Sequence, residues 1–466
     1  MSRQTLSPMP APPKVRRSLA RKARRAAAGL FWKLADGGWL LVVAGSKGLG
    51  RLRLGVATAP ARLLRSLRGL PDTAIDMAIG GALKTFELRW PLVTMASLAG
   101  ATAIAGQLPT PETAAELKAP KPVRLMPTLL AVKDSSAQAP KPGPEALQRD
   151  LDSLAEAFGE TVGLAIVDIS ANWMVDVRGD EAFPQQSVSK LWVALTTLSA
   201  IDRGAAGLDD AVVLTESDRS VFNQPVSYLI TPEGFPTTVE DLLRRALIES
   251  DNAANDKLMA LAGGPGAVRR LLHEKGLEGI ALAEDERHLQ AHIAGLTWSP
   301  ELAPYGAFNA ARAHLPTEAR KAALEAYLSR PYDGARPGSV AVALGRLQAG
   351  KLLSKESTRW MLDTMARATT GPNRLKGGLP DGWRIAHKTG TGQDFQGSSI
   401  GINDVGLITA PDGRTYAVAV FLQRTHNPVS ERLAFMQAVS QALVAHWEQE
   451  SDKSPAAGSK ESRAAD

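Results

Sequence analysis

The stretch FPQQSVSKLWVALTTLSAID, residues 183–202, brings a helix start and two reactive side chains together. Pro184 and the polar run Gln185-Gln186-Ser187 precede a long apolar segment, so Ser187 is expected at the start of a helix. Lys190 follows three residues later, which puts both side chains on one helical face. A serine hydroxyl is a weak nucleophile until a base removes its proton, and a desolvated lysine can be that base. On its own the Ser-x-x-Lys spacing is common enough to arise by chance, and a helix-start serine followed by a surface lysine explains it equally well.

Two further stretches carry comparable signals. Ser250-Asp251-Asn252 ends the capped, apolar-striped segment TTVEDLLRRALIE. A hydroxyl there could relay a proton to a leaving amine, and an asparagine amide could bind a carbonyl. All three residue types also favour N-caps and turns. Lys388-Thr389-Gly390-Thr391-Gly392 follows the alternating segment WRIAH. A strand that ends in small residues lets a ligand backbone lie beside it, and its lysine and hydroxyls suit a carboxylate.

The surrounding pattern predicts the fold class. Leu147, Leu151, Leu154 and Phe158 have helical spacing in EALQRDLDSLAEAF, and TVGLAIVDIS and ANWMVDVRG read as strands joined at Ser170–Asn172. A helical middle from about Ser189 to Met365 precedes the hairpin INDVGLITAPDGRTYAVAVFLQ, turning at Pro411-Asp412-Gly413, and a last amphipathic helix, SERLAFMQAVSQALVAHW. This order predicts an α+β fold: an antiparallel sheet flanked by helices, with an all-helical subdomain carrying Ser250-Asp251-Asn252.

The rest of the 466-residue chain divides by composition. Residues 1–70 hold 15 Lys/Arg against the single Asp36, about +14 of a net charge of +6, which leaves the remainder near −8. The body is therefore not expected to bind nucleic acid, and residues 1–89 read as a basic cytoplasmic arm suited to an anionic membrane surface. Residues 90–111, WPLVTMASLAGATAIAGQLPTP, carry no charge and are long enough to span a bilayer or to form a signal anchor. With the basic side inward, the remainder is expected in the periplasm, tethered to the inner membrane. Residues 112–143 read as a Pro/Ala/Lys-rich linker, 144–448 as a folded domain and 449–466 as a disordered polar tail. With no cysteine, a thiol nucleophile and a disulfide framework are excluded.

The three motifs in this order form the signature shared by class A β-lactamases and penicillin-binding proteins. Residues 144–448 resemble that serine hydrolase superfamily in the motifs, in the helix–strand–strand opening and in the INDVGLI strand. The resemblance implies the β-lactamase/transpeptidase-like fold and roles for individual residues. Ser187 would be the acylated nucleophile, with Lys190 as proton acceptor or relay. Ser250 would pass a proton to the departing nitrogen and Lys388 would tune it. Asn252 would bind the substrate's side-chain amide, and Thr389, Gly390 and Thr391 would line the subsite for its carboxylate. Glu286, in Glu286-Arg287-His288-Leu289-Gln290, would activate the hydrolytic water, 36 residues after Ser250. Asp285 and Glu284 are the alternatives if the register differs.

This sequence departs from the family in three places. Gln290 stands where asparagine is usual, and Glu284 replaces an arginine of a loop-stabilising ion pair. Residues 291–336 form an unusually long segment with a predicted helix over Thr317–Leu328. Arg424 and Arg432 are the candidates for a carboxylate clamp. His288 and His292 lie four apart with no third ligand spaced for zinc, so neither a metal nor a cofactor is expected. The substrate implied is a small β-lactam or, alternatively, a cell-wall peptide cleaved by a D,D-peptidase with slow β-lactam release. A non-catalytic membrane-anchored binding protein is the third reading, and a monomer is expected.

Overall fold

A computed structural model describes residues 139–453. The arm (1–89), the apolar segment (90–111), most of the linker and the tail beyond 453 lie outside the described residues. Among the described residues, no helix is long and apolar enough to cross a membrane.

The main sheet contains β1 (Lys141–Pro142), β2 (Val162–Asp168), β3 (Trp173–Val177), β8 (Arg384–Gly390), β10 (Ser398–Thr409) and β11 (Thr415–Thr425). They run in the order β1-β3-β2-β11-β10-β8, and β9 (Asp394–Phe395) pairs with β10. All pairings are antiparallel except β1 with β3. The expected turns at Ser170–Asn172 and Pro411–Gly413 separate β2 from β3 and β10 from β11.

Strand alternation divides the apolar residues between two cores. On β11, Ala417, Ala419 and Phe421 face one core, while Tyr416, Val418, Val420 and Leu422 face the other. Helices α1 (Glu145–Phe158) and α11 (Val429–Lys453) pack together beside the second core. The first core is covered by α9 (Pro337–Gln348), which lies on β2 and β11, and includes most of α2 (Lys190–Asp202). From Lys190 to Ala200 every residue of α2 is buried, so it is an interior helix without a polar face.

The α+β expectation holds, with corrections at the margins. The second layer is not all helical. It contains the ribbon β5 (Ala211–Leu214) with β6 (Phe235–Thr238), and β4 (Phe183–Pro184) pairs with β7 (Gly334–Ala335). These strands have four residues or fewer, too short to stand out from the helical pattern around them in the sequence. The linker ends earlier than 143, because Lys141 and Pro142 pair with Trp173 and Met174 as an edge strand, where proline's missing N–H is tolerated. The last helix continues past 448 to Lys453, and Arg414 Nη2 donates to Ser451 Oγ at 2.8 Å. The remaining helices are α3 (Val239–Arg244), α4 (Asn252–Leu261), α5 (Pro265–Glu274), α6 (Glu286–Ala294), α7 (Ala307–His314), α8 (Thr317–Ser329) and α10 (Lys355–Met365).

Candidate active site

Ser187 sits on a 3-10 turn, Gln186–Ser189, and the α-helix starts only at Lys190. The turn is held from both sides. Asn403 of β10 donates to Pro184 O (2.7 Å) and Gln185 O (2.9 Å), and Gln185 Nε2 donates to Ala281 O and Asp333 O. Gly390 at the end of β8 must be glycine, since a Cβ there would lie 2.5 Å from Gln185 O. The edge strand thus reaches the Ser187 turn at van der Waals distance.

Lys190 Nζ lies 2.7 Å from Ser187 Oγ and 3.4 Å from Glu286 Oε2, with both charged side chains almost wholly out of solvent. Buried ion pairs persist only when their remaining polar atoms are also satisfied. Gln290 Nε2 satisfies the other oxygen, Glu286 Oε1, at 2.9 Å. Glu286 opens α6, capped by Asp285, which accepts from His288 N at 3.1 Å. The backbone N–H of Glu286 donates to Asp256 Oδ1 at 2.8 Å. Asp256 is fully buried, and that burial, together with the charges of Asp285 and Glu286, pushes its carboxyl up to about 7.

Ser250 follows a π-helical turn, Arg245–Glu249, and takes a left-handed conformation (φ 61). This turns its Oγ to Lys388 Nζ at 2.8 Å. Lys388 is fully buried, and its ammonium is held well below the ordinary lysine range by burial first, then by Lys190 and Arg374. Asp251 acts as a cap, accepting from Ala254 N, and also accepts from Val226 N. The turn reading and the site reading of this tripeptide therefore both apply. Asn252 Nδ2 donates to Val221 O at 2.7 Å, and its buried Oδ1 has no partner among the described residues.

On the strand, Thr389 Oγ1 donates to Thr370 Oγ1, and Thr391 Oγ1 accepts from Arg374 Nη2 at 2.7 Å. Arg374 also holds Gly390 O and Asn403 O, at 2.8 and 2.6 Å. It is the arginine beside the threonines, and neither expected clamp is there. Arg424 pairs with Glu325, and Arg432 donates to Asn427 O and Ser399 Oγ. The sequence gives no local signal for Arg374, which reaches the strand from a loop.

The structure thus brings Ser187, Lys190 and Glu286 into one cluster and Ser250 and Lys388 into another beside it. Gly390 and Thr391 lie where β8 approaches the turn. Glu284, an alternative acid, instead lies 2.9 Å from His292 Nδ1, so a glutamate–histidine pair is found in the loop where an arginine was expected. Gln186, Tyr327, Asp333 and Gln393 were not anticipated. They are buried polar residues, each with a hydrogen-bond partner 81 to 147 positions away.

An antiparallel sheet between helices, with a serine touching a lysine and a second serine–lysine pair beside them, defines a serine hydrolase. The chain belongs to the beta-lactamase enzyme family, which matches residues 146–447. Among curated relatives it is 28% identical to beta-lactamase VEB-1 of Pseudomonas aeruginosa, over 58% of this chain and 80% of that one. It is also 28% identical to extended-spectrum beta-lactamase PER-1 of the same organism, over 67% and 91%. Among solved structures, a beta-lactamase from Chitinophaga pinensis is 25% identical with a TM-score of 0.54, covering 65% of this chain and 99% of that one. The ancestral class A beta-lactamase GNCA is 28% identical with a TM-score of 0.52, covering 64% and 99%. The protein is a serine β-lactamase-like hydrolase.

Proposed function

We propose that this enzyme opens the β-lactam ring through an acyl-enzyme on Ser187 and hydrolyses that intermediate with a water activated by Glu286. The carrying observation is the buried Ser187–Lys190–Glu286 cluster, with Nζ between the hydroxyl and the carboxylate at 2.7 and 3.4 Å.

In acylation the Ser187 Oγ proton passes to Lys190 as Oγ bonds to the lactam carbonyl carbon, and Lys190 hands one of its own protons on to Ser250, so that Glu286 stays ionised. The backbone N–H groups of Ser187 and Thr391 hold the developing oxyanion, where loss of one donor typically costs about 10²–10³ in rate. The C–N bond breaks as Ser250 gives its proton to the ring nitrogen and takes the one relayed by Lys190, with Lys388 at 2.8 Å orienting the Ser250 hydroxyl. Thr389, Thr391 and Arg374 receive the substrate carboxylate, and Asn252 receives the side-chain amide. In deacylation Glu286 takes a proton from water, the hydroxide adds to the acyl carbon, and Ser187 leaves with a proton returned to it. Gln290 does for Glu286 what the shorter asparagine is expected to do, because its amide nitrogen reaches the carboxylate at 2.9 Å.

Purified protein is expected to turn over a chromogenic cephalosporin. Glu286→Ala is expected to leave an adduct on Ser187 that persists in a mass spectrum after brief β-lactam exposure, while the wild-type adduct clears. A wild-type adduct that also persists, together with cleavage of a D-Ala-D-Ala peptide, would replace this reading with a D,D-peptidase. No adduct at all would end both.

A further inference from the structure

The segment between Gln290 and Pro337 plays no part in the reaction above, yet two of its residues reach the nucleophile turn. Tyr327 on α8 is fully buried. Its hydroxyl donates to Asp333 Oδ1 and accepts from Gln186 Nε2, both at 2.7 Å. Asp333 Oδ2 accepts the backbone N–H of Gln186 at 2.6 Å. Gln186 Oε1 accepts from Gln290 Nε2 at 2.7 Å, and that same nitrogen donates to Glu286 Oε1 at 2.9 Å.

These bonds have one self-consistent direction. The Asp333 carboxylate only accepts, so the single Tyr327 proton points to it and the phenol oxygen accepts from the Gln186 amide. Gln186 must then turn its oxygen to Gln290, and Gln290 must turn its N–H to Glu286. Reversing any one amide leaves a buried donor or acceptor unpaired. Gln186 also adopts a left-handed backbone (φ 52), which a residue with a Cβ keeps only where its surroundings hold it. The charged groups that face Glu286 include Lys190 on α2, Asp256 on α4, Lys388 on β8 and Asp333 of the insertion itself. Lys190 engages Oε2, and Asp256 takes the backbone N–H of Glu286. The N–H on Oε1 comes from Gln290.

We infer that Tyr327 and Asp333 are positioning residues for deacylation: through Gln186 and Gln290 they fix the amide that orients the Glu286 carboxylate toward its water. The inference rests on the reading of Glu286 as the deacylating base. It gives the 291–336 segment a task, that of a buried strut from the insertion to the catalytic acid.

Tyr327→Phe keeps the ring and removes the hydroxyl. Deacylation is expected to slow by about 10-fold, a fraction of what a general base supplies. Acylation should continue at the wild-type rate, so kcat and KM fall together and kcat/KM stays within about 2-fold. Asp333→Asn should show the same split, and it carries the test if Tyr327→Phe does not fold. In a Gln290→Leu background, Tyr327→Phe should add nothing to the deacylation defect. Wild-type kcat in both variants, a kcat/KM loss as large as the kcat loss, or a full further loss in the Gln290→Leu background overturns the inference. Glu286→Ala, run alongside, separates the two claims. An adduct that clears in Glu286→Ala removes the base reading itself, whereas a trapped adduct with unchanged Tyr327→Phe kinetics removes only the strut.

Discussion

Asp256 accepts three hydrogen bonds, from Ser220 Oγ, Glu286 N and Arg287 N, in a site without solvent. Burial and two neighbouring acids push its carboxyl from 3.8 up to about 7. In the unfolded chain the same group ionises near 4. Between about pH 4 and 7 the unfolded state therefore gives up a proton that the folded state keeps, and stability falls as pH rises through that window. Asp333, pushed up to about 6 by burial, acts in the same sense. Asp256→Asn keeps the shape and removes the titration. Relative to wild type its Tm is expected to improve from pH 4.5 to about 7, by several degrees in total, and to level off above that. Parallel Tm curves over that range would show that Asp256 does not titrate there. None of this could be read from the segment DNAANDKL, in which Asp256 looks like any solvent-facing helix acid.

Helix α6 shows what an element contributes beyond its residues. Its first residue is Glu286, and its cap is Asp285, whose side chain accepts from His288 N. The sequence segment EDERHLQ contains three adjacent acids with no obvious division of labour. The helix start assigns them: Glu284 to His292, Asp285 to the cap and Glu286 to Lys190. Asp285→Ala is expected to destabilise the fold by about 1 kcal/mol. Because the frayed turn is the one that carries Glu286, kcat should drop more than kcat/KM. Thermal unfolding and steady-state kinetics on one preparation check both parts, and equal losses in kcat and kcat/KM would disconnect the cap from deacylation.

At the scale of the molecule, both cores and every site residue lie within 139–453, since β2 and β11 contribute side chains to the two faces of one sheet. A chain that begins at residue 139 is expected to hydrolyse a chromogenic cephalosporin in cell lysates at the full-length rate. The cells that make it should stay susceptible to β-lactams, because protection needs hydrolysis beyond the cytoplasmic membrane and residues 90–111 are the proposed export or anchor segment. Resistance equal to that given by the full chain would remove the membrane role of that segment.

The α+β order of elements, both hairpin turns and the three motifs were legible along the chain, because helix and strand periodicity and turn chemistry are local properties. Ser187 with Lys190 was legible for the same reason: side chains three positions apart share one face of a helical or 3-10 turn and meet whatever the rest of the chain does. The contacts of Lys388 with Ser250, Arg374 with Thr391, and Tyr327 and Asp333 with Gln186 join residues 17 to 147 positions apart, and only the packing of sheet against helices creates them. A buried polar group must find a partner, but which one it finds depends on the elements that exclude water around it. Sequence therefore determined which groups are proposed to react, and tertiary structure decided which arginine, which amide and which second carboxylate surround them.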